Sequence, residues 1–342
     1  MLNDNIMAPT IKDIAVETGF SYATVSRALN NKYGVKPGTR KKIVSVARAC
    51  GYTPNAIARG LVKKQTHSIG LIIPDISNPF FPEVASGVED GARKKGYSVF
   101  LCNTNYESER EAHYLQLLVE KRVDGIILAS GFQTSASIDP ISLSAPPIVS
   151  LCSRFENVSN SFVMIDNERG GFIATKHLIE QGYQKIGFVG TQGDGFSESQ
   201  RFKGYRQALS KFNMPYEKGL VFTGNLKRET GYQIIKRMIA GQECPRALFV
   251  ENDLMALGVM QGIKESGLRI PDDMAVVGFD DITFASFPEI GLTTVRQPKY
   301  KMGKLAVEIL LESISNKATG EPKRYILEPE LIVRTSSCKP MG

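Results

Sequence analysis

At 342 residues the chain is long enough for a small head and a body of two lobes, and no run of about 18 uncharged apolar residues occurs in it. The opening residues, MLNDNIM, lack a basic region followed by an apolar stretch, so neither a membrane span nor a secretory leader is expected and a cytoplasmic protein is. The net charge of +7 is unevenly spread: residues 1–67 hold eleven Lys/Arg against three Asp/Glu, whereas the remainder holds 31 against 32. That asymmetry reads as a polyanion-binding head on a neutral body. A solvated basic tail is the alternative reading of such a cluster, and the helical patterning of the same residues argues against it. Five cysteines (Cys50, Cys102, Cys152, Cys244 and Cys338) lie far apart, with no CxxC pair and no neighbouring histidine. No disulfide framework and no zinc site are expected, and buried free thiols are.

The stretch TIKDIAVETGFSYATVSRALN predicts two short helices around a tight turn at Gly19, with Ile11, Ile14 and Ala15 facing Val25 and Leu29. Ser21 is a good N-cap for the second helix, which then presents Tyr22, Ala23, Ser26 and Arg27 outward while Thr24 and Val25 turn toward the first. This is helix-turn-helix spacing, in which the start of the second helix meets base edges in the major groove. An ordinary helical hairpin has the same local pattern. The third helix, in VKPGTRKKIVSVARACGY, argues for the DNA-binding reading: Pro37 suits its first position and Ile43, Val46 and Ala47 fall at core spacing. The next segment, Asn55 to Leu61, has a cap and a helix-forming AIARGL run but is far shorter than the roughly 12 to 15 residues an isolated helix needs.

SYATVSRALN followed by GYTPNAIARGL resembles the head and hinge signature of the Lac repressor family. The resemblance implies a helix-turn-helix head over residues 8–54, a hinge and linker over 55–67, and an effector-binding and dimerisation core over 68–342. It implies DNA contacts from Thr10, Ser21, Tyr22, Ala23, Thr24, Ser26, Arg27 and Asn30 in the head. In the hinge it implies contacts from Asn55, Ala58, Arg59 and Leu61, with Leu61 as the apolar wedge entering the minor groove. Lys36 stands where family members usually carry a capping serine.

From His67 onward apolar strands alternate with amphipathic helices: HSIGLIIPD, a helix to Lys95, GYSVFLCNT, a helix from Glu107, VDGIILAS, PIVSLC and FVMID. After Glu168 the alternation restarts through KIGFVG, LVFTG, ALFVEN and MAVVGFD, and ELIVRTS reads as a last strand. The expected class is α/β, with two doubly wound parallel sheets. Ligands of such sheets bind beyond the carboxyl ends of the strands, which singles out Asp75, Asn78, Arg201, Asn252, Asp253 and Asp280.

The same residues resemble the family's effector pocket, whose fold is that of periplasmic sugar-binding proteins. The resemblance divides the core into a first lobe (68–168 and 298–327) and a second (169–297 and 328–338), and adds Phe80, Phe81, Leu226 and Gln297 to the pocket. Carboxylates and amides that pair with vicinal hydroxyls, a rigid Arg fork and an aromatic ring for an apolar sugar face make a sugar-like constellation. Asp253 reads equally as a helix cap. The Asp-Arg pair usual after the fourth strand of the first lobe is replaced by LCSRF, with Cys152 and Ser153 near the carboxylate's place.

No GxGxxG, Walker A, HExxH or GxSxG pattern is present, and the three histidines have no obvious nucleophile nearby, so neither an enzyme nor a bound cofactor or metal is expected. Gly190, Gly193 and Gly195 read as a flexible loop at the cleft rather than a phosphate cradle. The expected protein is a sequence-specific DNA-binding regulator, most simply a repressor of carbohydrate-utilisation genes, working as a homodimer on a near-palindromic operator and controlled by a small sugar. Two alternatives stand beside it. PDISN, VKPGTRKK and PNAIARGL resemble global catabolite regulators of the same family, which answer to a phosphorylated carrier protein; a sugar-binding protein without a regulatory role would not carry the head.

Overall fold

The computed structural model describes residues 9–52, 65–129, 146–154, 160–191, 196–241, 244–315 and 321–338. It separates into two units, Met1–Thr66 and His67–Gly342. In the first, α1 (Ile11–Thr18), α2 (Tyr22–Leu29) and α3 (Pro37–Ala49) enclose a core of Ile14, Val25, Ala28, Ile43 and Ala47. Thr10 opens α1 with a capping box, its hydroxyl accepting from the Asp13 amide at 3.4 Å while the Asp13 carboxylate accepts from the Thr10 amide at 2.7 Å. Gly19 closes α1 at φ 74°, a left-handed conformation that glycine adopts without a Cβ penalty. The Lys36 side chain makes no capping hydrogen bond to α3.

In the second unit, six strands alternate with helices to form a first sheet in the order β11-β5-β4-β3-β1-β2. These are β1 (Ser68–Ile73), β2 (Ser98–Asn103), β3 (Gly125–Leu128), β4 (Ile148–Leu151), β5 (Ser161–Ile165) and β11 (Arg324–Leu327). A second sheet, in the order β12-β10-β9-β8-β6-β7, holds β6 (Ile186–Gly190), β7 (Val221–Thr223), β8 (Ala247–Val250), β9 (Ala275–Asp280), β10 (Thr293–Arg296) and β12 (Glu330–Ile332). Every residue of β1, β6, β8 and β9 is buried, as expected of parallel strands covered by helices on both faces. The helices are α4 (Phe80–Lys94), α5 (Ser108–Glu120), α6 (Asn167–Glu180), α7 (Phe196–Lys211), α8 (Arg228–Ala240), α9 (Asp253–Glu265) and α10 (Lys299–Ser315).

The second sheet carries one antiparallel edge strand, β12, which pairs with β10 and which the chain reaches from β11 of the first sheet across Glu328 and Pro329 alone. The expectation of buried thiols needs correction. Of the cysteines only Cys102 is buried, while Cys50 is exposed and the other three are partly so. Cys50 is the C-cap residue of α3, beyond its core-facing positions.

The chain passes between the sheets three times, after β5, after β10 and after β11. After the second passage α10 packs backbone to backbone against α4. A Cβ at Gly303 would lie 2.2 Å from the carbonyl oxygen of Val84, and one at Gly87 would lie 2.2 Å from that of Tyr300. Among the described residues no helix is long and apolar enough to cross a membrane. Gly303→Ala is expected to destabilise the body by about 1–3 kcal/mol, because backbone overpacking exceeds the roughly 1 kcal/mol that Ala gains in helix propensity. Urea unfolding checks this; a variant as stable as the parent would mean that the two helices separate freely.

Candidate functional sites

On the head, Tyr22 is 55% exposed, Ala23 and Arg27 are exposed and Ser26 is half-buried, so the first, second and sixth positions of α2 present one outward face. Lys32, Lys36, Lys41, Lys42 and Arg48 are exposed as well. The hydroxyls predicted to touch DNA are engaged locally. Ser21 Oγ caps α2 through the Thr24 amide at 3.3 Å and lies 3.0 Å from Thr24 Oγ1, Thr10 caps α1, and the Asn30 amide donates to the Ser26 carbonyl at 2.8 Å. Thr10, Ser21, Thr24 and Asn30 therefore shape the helix ends that carry the outward face. Asn55, Ala58, Arg59 and Leu61 lie outside the described residues, as do Gly193 and Gly195 of the glycine-rich turn.

In the body a cavity of about 540 Å³, its open mouth included, collects residues that follow the carboxyl ends of strands in both sheets. Pro74 follows β1, Ala129 follows β3, and Cys152 and Ser153 follow β4; Leu226, Asn252 and Asp280 stand at the ends of β7, β8 and β9. Asn78, Phe80, Phe81, Arg201 and Gln297 join them, so eight of the ten predicted effector residues line one space.

Arg201, 8% exposed, is fixed from three sides. Its Nε donates to Asn167 Oδ1 at 2.9 Å and its Nη1 to the Glu251 carbonyl at 2.7 Å, while its guanidinium lies 3.8 Å from the centre of the Phe279 ring. Nη1 is also 3.9 Å from Asp280 Oδ1. Among the described residues Nη2 has no hydrogen-bond partner, which leaves one face of a rigid donor fork for a ligand. Asp280 accepts from Gln297 Nε2 at 2.7 Å and has φ 119°, a conformation foreign to a residue with a side chain. Asn78 accepts from the Phe80 amide at 3.1 Å and keeps its Nδ2 unused among the described residues, as Gln297 keeps its Oε1. The two phenyl rings of Phe80 and Phe81 meet edge to face at 5.0 Å beside these groups.

Two predicted pocket residues do not line the cavity. Asp75 turns back on its own chain, accepting from the Ser77 amide at 2.9 Å and the Ser77 hydroxyl at 2.6 Å. Asp253 is fully buried and is not the cap: Asn252 caps α9, accepting from the Met255 amide at 2.9 Å. Asp253 instead joins strand ends, accepting from Thr294 Oγ1 at 2.6 Å and from the Ile282 amide at 2.9 Å. Burial, and then the neighbouring Asp280 carboxylate, hold its carboxyl well above the usual carboxylate range. Sequence reasoning missed Tyr106 and Ser197 in the cavity wall. Tyr106 follows β2 as the other site residues follow their strands, a signal that was available. Ser197, bonded by Asn167 Nδ2 at 3.3 Å and donating to the Cys152 carbonyl, shows no such pattern.

Residues 10–55 match the family model for bacterial regulatory proteins of the lacI family, and residues 175–337 match that for a periplasmic binding protein-like domain. The chain is 37% identical to the HTH-type transcriptional repressor PurR of Haemophilus influenzae (strain PittEE), over 96% of this chain and 98% of that one. It is 38% identical to catabolite control protein A of Priestia megaterium, over 97% and 100%. Among solved structures it resembles a Lac repressor dimer bound to operator and the anti-inducer ONPF (TM-score 0.86, 26% identity, 97% and 100% covered). It also resembles a complex of the transcriptional regulator CelR with cellobiose (TM-score 0.73, 30% identity, 96% and 99% covered).

Asp253→Asn keeps the shape of the side chain and removes the group that titrates. An acid whose folded pKa lies above its unfolded one stabilises the fold below the unfolded pKa and loses that contribution as pH rises through the folded one. The stability of the Asn variant relative to the parent is therefore expected to rise as the pH climbs above the ordinary carboxylate range. Parallel urea-unfolding curves over that rise in pH would show instead that the carboxyl is charged in the native state.

Proposed function

The chain belongs to the LacI family and is a DNA-binding transcriptional regulator rather than an enzyme, and we propose that a small sugar or sugar derivative held between the lobes of its body controls its hold on operator DNA. The observation that carries this reading is the Arg201 fork, immobilised by Asn167, the Glu251 carbonyl and Phe279 yet open at Nη2, and set opposite Asp280 in a cavity walled by Phe80 and Phe81. A donor pair, an acceptor and a ring face are what a hydroxyl-rich ring needs. The first lobe of this reading comprises residues 68–168 and 298–327, the second 169–297 and 328–338. The regulator acts in the cytoplasm as a homodimer that places two heads on a near-palindromic operator, with Leu61 wedged into the minor groove. A phosphorylated carrier protein as the controlling partner is the second reading, favoured by the 38% identity to a catabolite control protein. A pull-down with the phosphorylated carrier, with and without sugars, separates the two.

Exchanging Tyr22 and Ala23 is expected to change the preferred operator sequence and to leave affinity for unrelated DNA nearly intact, since base contacts specify and phosphate contacts position. Binding selection from a random pool tests it; equal loss on every sequence would remove these residues from base recognition.

A thermal-shift screen of pentoses, hexoses and their phosphates identifies the effector, because a ligand at 100 times its dissociation constant stabilises by about 2.7 kcal/mol. Arg201→Ala and Asp280→Ala are then expected to bind operator as the parent does without ligand and to lose the ligand response. Operator titration with and without that sugar checks both, and a full response in both variants would displace the effector site from this cavity.

A further inference from the structure

Lys299 begins α10, at the point where the chain passes from the second lobe back to the first. It is 5% exposed, an unusual place for an ammonium. Its Nζ donates to the Asp280 carbonyl at 3.0 Å and to the Asp281 carbonyl, both at the end of β9 in the second lobe. The same atom lies 3.5 Å from Glu83 Oε1, on α4 of the first lobe. Thr283 Oγ1, which follows β9, reaches the same Glu83 oxygen at 3.5 Å.

The two carbonyls belong to residues with φ 119° and φ 52°, so the ammonium, with Arg296 and Arg334 on the Asp281 carboxylate, holds an irregular stretch of backbone. The side chain of one of these residues, Asp280, faces the cavity. On the other side, the glycine contacts of α10 with α4 bind the Lys299 backbone to the helix that carries Glu83. A shift of one lobe against the other must therefore lengthen either the carbonyl contacts or the Glu83 contact. Because Lys299 is buried, losing a partner costs it more than the same loss costs an exposed pair.

We propose that Lys299 is a positioning residue that ties the effector-facing end of β9 to the first lobe, and that its pairing with Glu83 sets the lobe arrangement on which operator binding depends. The inference rests on the reading of the body as a controller of the head, but its test requires no effector. A DNA duplex selected from a random pool on the full-length parent chain serves as the probe. Affinity for it and melting temperature are measured for Lys299→Met, Glu83→Gln, the double variant and Lys299→Arg.

Each single variant is expected to change affinity by about threefold or more in the same direction, and the double variant no further than the larger single one. Lys299→Arg, which keeps the charge and the donors, is expected to recover most of the parent's affinity. Lowered melting temperatures with affinities within about twofold of the parent, or additive effects of the two single variants, would reduce Lys299 to a structural residue and overturn the proposal. If Lys299→Met does not fold, the half-exposed Glu83→Gln carries the test alone: an unchanged affinity overturns the proposal and a threefold change supports it. Because no sugar is added, a negative result here leaves the effector reading intact, and a failed sugar screen leaves this result intact.

Discussion

An ionisable group taken out of water must find partners inside the protein, and four such groups, Arg201, Asp253, Asp280 and Lys299, lie buried around the strand ends of the second lobe. Each is answered differently. Arg201 is met by an amide oxygen, a carbonyl and an aromatic face; Asp253 by a hydroxyl and an amide; Asp280 by Gln297; Lys299 by two carbonyls and a carboxylate. These partners come from β8, β9, β10, α4 and α6 or from the segments that follow them, so meeting the desolvation of four side chains fixes the relative positions of most elements around the cleft. The parallel sheet brings the strand ends together, and the buried ionisable groups hold them in one geometry.

What the sequence showed and what it hid follow from the range of the interactions. Alternation of apolar strands with amphipathic helices is local, and it made the two sheets legible from His67 onward. The rule that ligands sit beyond strand carboxyl ends then picked out Asn78, Arg201, Asn252 and Asp280, all of which line the cavity. It also picked out Asp253, which does not, because an acidic residue at the start of a helix looks alike whether it faces a ligand, caps the helix or reaches another strand. Thr294, 41 residues away, decides the matter. Asp75 stays out of the cavity for the opposite reason, its partner being only two residues on, in a turn that an Asp-x-Ser sequence makes available. Lys299 offered no signal: a lysine opening a helix reads as solvated, and only the return of the chain to the first lobe buries it.

The head follows a similar division. Its three helices depend on caps and on a five-residue buried core drawn from within fewer than 50 residues, all visible in the sequence. The hydroxyl side chains of Thr10, Ser21 and Thr24 serve the fold in doing so. A short helix held at both ends keeps Tyr22, Ala23 and Arg27 in fixed register, and register is what direct reading of bases requires. Capping and recognition are thus not competing accounts of these residues, since the first supplies the rigidity that the second uses.

The cavity is lopsided in a way that bears on how binding moves the lobes. The first lobe contributes the rings of Phe80 and Phe81, the Asn78 amide, Cys152 and Ser153. The second lobe contributes the charged groups, Arg201 and Asp280. Polar contacts to charged groups are the stronger ones, so a ligand gains most of its directional binding from the second lobe and mainly shape complementarity from the first. A ligand that leaned on one lobe alone would bind both arrangements equally and shift nothing. On the proposed reading, differential binding comes from the contacts a ligand adds to Asn78 and the phenyl rings of the first lobe, while Arg201 and Asp280 hold it on the second.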